Sequence, residues 1–128
     1  MAARLVEFLR RYQDRPFRWG RDDCSLFIAD WWMENHGTDP AAHLRGKYDT
    51  MEGAHRIVDE AGGILRLVGG LADRGGAPRQ STPVTGSFGV IEPGVCAIYV
   101  QGFWVARSET GLVFNKEAKV WRVWSLHP

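Results

Sequence analysis

Cysteine is scarce in this sequence, with only Cys24 and Cys96 among 128 residues. That excludes a disulfide-stapled scaffold, and the spacing fits none of the paired Cys/His patterns that hold structural zinc. Long apolar runs are also missing. No stretch approaches the roughly 20 residues needed to cross a bilayer, and the opening MAARLVEFLRRYQDR lacks the continuous apolar core of a signal peptide. Charge of one sign is lacking too. Sixteen basic and fifteen acidic side chains leave a formal net charge of +1, and the basic ones are scattered, so the concentrated positive field that phosphate backbones demand is absent. Asp22-Asp23 is a pair better suited to capping a helix than to holding a metal. Gly69-Gly70 and Gly75-Gly76 lack the strand-before, helix-after context of a phosphate loop. The expectation is a chain with no metal, no cofactor, no nucleic-acid partner, no membrane span and no signal peptide, made in a reducing compartment.

What is present is 45% hydrophobic and 12% aromatic content, enough in 128 residues for a single domain (1–128) with one core. Leu5, Phe8, Leu9 and Tyr12 recur at three- and four-residue steps and predict an amphipathic helix over 2–12, ended by Pro16. Residues 25–35 are apolar on nearly every face, which predicts a central buried helix, with Asp22 or Asp23 as its N-cap and Gly37 as its C-cap. TDPAAHLRGKYDT suggests a short helical turn opened by Asp39-Pro40. Two further helices are expected over 51–61 and 64–72, followed by a Gly/Pro-rich boundary. Beyond it the period changes to two. GSFGVIE, GVCAIYVQ, GFWVARS, GLVFN and KVWRVWSL read as consecutive antiparallel strands. The chain therefore predicts an α+β domain, with a helical half (1–75) packed on a β half (83–126) of about five strands.

Cys24 stands where the RWGRDD loop meets the buried helix. Free amides and the dipole at a helix N-terminus lower a thiol pKa, so this is a nucleophile's place, although a small buried core residue is the other reading of the same position. The segment PFRWGRDDCSLFIADWW resembles the nucleophile segment of NlpC-type, papain-like cell-wall peptidases, through Pro16, Phe17, Trp19, Gly20, Asp23, Cys24 and Ser25. The following stretch is similar to a phage and prophage group related to those peptidases, through Gly37, Asp39, Pro40, Ala41, Arg45, Gly46, Tyr48, Gly62 and Gly63. The late GLVF and WRVW fit as well. The resemblance implies an NlpC-like papain fold with Cys24 as nucleophile and Asp23 and Ser25 as its motif neighbours. It implies a place in a phage or prophage tail tip, with tail proteins as partners and peptidoglycan as a second candidate. It also implies synthesis in the bacterial host cytoplasm and, on incorporation, a location in the virion tail.

The resemblance also places a catalytic histidine at the start of a strand, and the matching strand here is VCAIYV, which puts Val95 at that position. The third polar residue falls near Ala106 or Arg107. Among the four histidines, His36 lies twelve positions after Cys24, about 18 Å along one helix. His43 and His55 lie on segments expected to face solvent, and His127 is penultimate. Cys96 would face Cys24 only if the strand slipped by one residue. Without an imidazole, amide cleavage loses its proton donor, which predicts a degenerate enzyme with ordinary thiol reactivity at Cys24. The alternative is an active cysteine peptidase or amidase cutting peptidoglycan stem peptides with a histidine recruited from elsewhere. Trp104, Arg107, Trp121 and Trp124 on the late strands are of the residue types that dominate interface hot spots, and stand as candidate binding residues as well as candidate core.

Overall fold

The computed structural model describes residues 2–127 as four helices followed by one sheet. In chain order these are α1 (Ala2–Gln13), α2 (Cys24–His36), α3 (Met51–Ala61) and α4 (Ile64–Gly75), then β1 (Arg79–Gln80), β2 (Phe88–Ile91), β3 (Val95–Val100), β4 (Phe103–Ser108), β5 (Gly111–Asn115) and β6 (Val120–Trp124). The chain is thus α+β, as its pattern predicts. The sheet has six strands rather than about five, in the order β1-β6-β2-β3-β4-β5, with every neighbouring pair antiparallel. The extra strand is β1, two residues inside the Gly/Pro-rich boundary, too short to leave a period in the sequence.

α1 buries Leu5, Phe8, Leu9 and Tyr12 and leaves Arg4, Glu7, Arg10 and Arg11 exposed, as an amphipathic repeat must. α2 has apolar residues all around and buries Leu26, Phe27, Ile28, Ala29, Trp31 and Trp32, with Asp30 half-buried among them. Its last turn closes on Gly37, whose φ of 74° lets its N–H reach the Met33 carbonyl. The helical turn expected at Asp39-Pro40 is not a helix. Asp39 instead accepts from the Ala41 amide and from Arg45, and side-chain acceptance of this kind holds the segment in turns. α3 starts at Thr50, which caps the Gly53 amide, and packs on α4 without a buried residue of its own. α4 runs three residues beyond its expected end and buries Val68, Leu71 and Ala72.

The main core lies between α1, α2, α4 and one face of the sheet, and includes Phe27, Trp31, Val90, Cys96, Ile98, Val105 and Trp124. Leu26, Ala29, Ala41, Leu44 and Leu71 form a second cluster behind α2. The opposite face of the sheet is buried as well, by Ile91, Ala97, Trp104, Ala106 and Val123. No helix contributes to that third cluster. The sheet curls over its own side chains, helped by a register shift between Val90 and Ile91 against β6. Gly89 makes room for this curl, since a Cβ there would lie 2.4 Å from the Arg122 carbonyl and 3.2 Å from the Trp104 ring.

Candidate active site around Cys24

The loop before α2 is set by Asp23. Its side chain accepts from the Leu26 amide (3.2 Å) as the N-cap, from the Gly20 amide (2.8 Å) and from the Tyr48 hydroxyl (2.6 Å). One carboxylate therefore fixes the helix start, the loop and the 40–49 segment together. Gly20 is in the left-handed region (φ 81°), and a Cβ there would fall 2.0 Å from the Tyr48 carbonyl oxygen. Only glycine permits that approach. Burial and the bond to Asp23 push the Tyr48 hydroxyl far above its ordinary range, so Tyr48 acts as a fixed hydrogen-bond donor rather than an acid.

The sheet anchors the same loop through Arg107. This side chain is buried, with its guanidinium donating to the carbonyls of Asp22, Tyr12 and Arg15 and lying over the Tyr12 and Phe17 rings. Asp22 is buried beside Asp23 and pairs with Arg18 at 2.8 Å and Arg15 at 3.7 Å.

Cys24 itself is partly exposed, at the first turn of α2, and borders a cavity of about 200 Å³ between α2, α3 and α4. Asp23, Ser25, Tyr48 and His55 are the polar groups around that cavity, and Leu44, Ile57 and Leu67 are among its apolar walls. Cys24 and Ser25 both face β3. The residue of β3 that meets them is Cys96, whose sulfur lies 3.7 Å from the Ser25 hydroxyl. Val95 points the other way, packed against the third cluster behind the sheet. Strand alternation thus runs one residue out of phase with the placement that put Val95 opposite the thiol.

A hydrogen bond from the Cys96 thiol holds Cys24 below the ordinary thiol range, against burial and the Asp23 charge, which push it up. The Cys96 backbone and the Ser25 hydroxyl assist. Cys96, fully buried, is driven well above that range by donating to Cys24 and by burial.

Of the histidines, His36 stacks on Trp32 and contacts the Leu126 carbonyl at 2.6 Å, at the far end of α2. His127 packs edge-on against it. His43 lies beside Arg74 and Gly75 around a different cavity. His55 is exposed, as expected, yet it also borders the Cys24 cavity. Among the described residues, no three or more His, Cys, Asp or Glu side chains converge to hold a metal ion, and no helix is long and apolar enough to cross a membrane.

The candidate binding residues separate. Trp104, Arg107 and Trp124 are buried and unavailable as surface contacts, because the curled sheet buries both of its faces. Trp121 alone of the four is exposed. Tyr48, Cys96 and His55 were not identified as site residues by the sequence reading. Tyr48 stands in the Arg-Gly-x-Tyr motif, and Cys96 stands beside the position matched to the catalytic histidine, which were the available signals; His55 had none.

A family model described as a domain of unknown function, DUF6950, matches residues 1–126. The chain belongs to the DUF6950 family. That match spans both halves, so the Cys24 loop and the Cys96 strand lie within one DUF6950 unit. No curated protein and no solved structure matches the chain.

Proposed function

We propose that this DUF6950 chain is an NlpC-like domain that keeps a thiol pocket but not hydrolysis, and serves as a structural or interaction component of a phage or prophage tail tip. The observation that carries the loss of hydrolysis is the company of the Cys24 sulfur. Among the described residues, the β3 side chain at this helix start is Cys96, 3.7 Å from the Ser25 hydroxyl, and the histidine that borders the Cys24 cavity is the exposed His55 of α3. Amide cleavage needs a group that takes the thiol proton and returns it to the leaving amine near neutral pH. Cys96 holds its proton more tightly than a free thiol and fills that role badly. The NlpC-like fold and the tail-tip setting rest on the sequence resemblance carried by Pro16 to Gly63 and by the late GLVF and WRVW segments. For contact with tail proteins the late strands expose Phe103, Phe114 and Trp121, the last beside exposed Val120.

One observation favours the second reading, a peptidoglycan amidase or peptidase. His55 borders the cavity that Cys24 opens into, and the recruited base would come from α3. The two readings separate when the full chain and its Cys24→Ala and His55→Ala variants are incubated with a cell-wall tetrapeptide. No turnover by the unmodified chain, together with its recovery in purified tails and a weaker association for Trp121→Ala, is the expected result. Turnover abolished in both variants overturns the non-hydrolytic reading. Absence of the chain from purified virions overturns the tail-tip assignment.

A further inference from the structure

Trp121 and Arg122 are adjacent in β6, yet both line one groove of about 440 Å³ between β6 and the turn that joins α3 to α4. Neighbours in a regular strand point to opposite faces, so their shared direction has a cause. β2 pairs Val90 with Arg122 and Ile91 with Val120, which leaves Trp121 as the extra residue of a β-bulge. A bulge re-aims the side chain it carries. Trp121 is turned toward α4, where its ring and the Ile64 side chain lie 3.4 Å and 3.6 Å from the place a Gly94 Cβ would take. It stays 43% exposed, so a face of the indole is open to a ligand.

The opposite wall of the groove is formed by residues 62–66. Gly62 leaves room for the Arg66 stem to fold back over the turn, since a Cβ there would fall 2.8 Å from the Arg66 Cδ. No acidic side chain lines the groove. Among the described residues neither Arg66 nor Arg122 forms an ion pair, and the Arg122 Nε is buried without a hydrogen-bond partner. Two unbalanced cations and an unpaired donor beside a re-aimed indole are an arrangement that folding alone does not reward.

We infer that this groove binds a phosphomonoester joined to an aromatic ring, the chemistry of a nucleoside monophosphate. The two guanidiniums match the charge of a phosphate dianion, and their forked N–H donors suit its oxygens. The open face of Trp121 takes the planar ring by stacking. The groove is within the roughly 300–1,000 Å³ of small-ligand sites. Two cations serve one phosphoryl group and not the run of phosphates along a nucleic acid. Ile64 is the one residue that this groove shares with the Cys24 cavity, so the two are separate sites. The inference does not rest on the tail-tip reading.

The test is calorimetric titration of the full chain at low salt with adenosine monophosphate, adenosine and ribose 5-phosphate. The expected result is that the monophosphate binds at least about tenfold more tightly than either fragment, and more weakly as salt is raised. Arg66→Gln weakens its binding by about tenfold or more, and Trp121→Ala brings it down to the level of ribose 5-phosphate. Arg74→Gln, an exposed change at the other end of α4, leaves it unchanged. Ribose 5-phosphate binding as tightly as the monophosphate overturns the inference, as does adenosine doing so. Absence of binding at about 1 mM monophosphate, or equal loss in Arg66→Gln and Arg74→Gln, overturns it too. The three ligands compared on the unmodified chain decide the matter even where a variant fails to fold.

Discussion

Cys24 owes its chemistry to three neighbours that serve different ends. Asp23 caps the helix and fixes the loop, but its charge works against the thiolate. Ser25 and Cys96 work for it, and Cys96 contributes most. The sign of the consequence is definite. Removing the Cys96 thiol takes away the bond that stabilises the Cys24 anion, so Cys96→Ala moves the midpoint of Cys24 alkylation to higher pH and slows alkylation by iodoacetamide at pH 7. An unchanged midpoint in rate-against-pH measurements would show that the helix terminus alone activates the thiol. Val95 shows how little separates the two arrangements. The residue beside Cys96 belongs to another core cluster because a strand sends successive side chains to opposite faces.

At the scale of elements, the loop between α1 and α2 depends on β4. Arg107 delivers three hydrogen bonds to loop and helix-end carbonyls that have no other partner in common, and its guanidinium covers two aromatic rings. Arg107→Met keeps the apolar stem and removes all three bonds, with the Tyr12 carbonyl still accepting from the Arg15 amide at 3.1 Å. The expected cost is about 3 kcal/mol of folding stability, read as a lower urea midpoint at unchanged slope. A loss within a few tenths of a kcal/mol would mean that water replaces the guanidinium. The boundaries of α1, α2 and α3 were legible because their apolar repeats and caps are local: Leu5 to Tyr12, Gly37, Thr50 and Gly62 each act within one turn of their own helix. The roles of Trp104, Arg107 and Trp124 were not legible. Alternation tells which residues share a face, and a curled sheet that buries both faces leaves no face to call outside.

For the whole molecule, α1, α2 and the 40–49 segment are joined by a charged cluster around Asp30. Its carboxylate pairs with Arg45 at 2.7 Å and Arg15 at 3.3 Å and accepts from the Tyr12 hydroxyl at 2.9 Å. Burial outweighs these partners, and the carboxyl sits above its usual range. A raised acid binds its proton more tightly folded than unfolded. Asp30 therefore favours folding most when protonated, and stability falls as pH rises from the unfolded value of about 3.9 through the folded one. Asp39, bonded to Arg45 and the Ala41 amide, is lowered and works in the opposite sense, losing stability as pH falls below the unfolded value. In Asp30→Asn the Asp30 contribution vanishes. Urea unfolding of variant and unmodified chain in parallel should show their difference shifting in the variant's favour as pH rises through that window, then levelling off. A pH-independent difference would mean that Asp30 ionises alike in both states.

Composition, period and caps determined by themselves that this chain is α+β, with helices first and an antiparallel sheet after, and that Cys24 opens a buried helix. These properties are set by residues a few positions apart, within the reach of a turn or a strand pleat. The contact of Ser25 with Cys96, the approach of His55 to the Cys24 cavity and the burial of Arg107 were decided only in three dimensions. Each joins segments tens of residues apart, and the packing of α2 on the curled sheet chooses which of two strand faces meets the thiol.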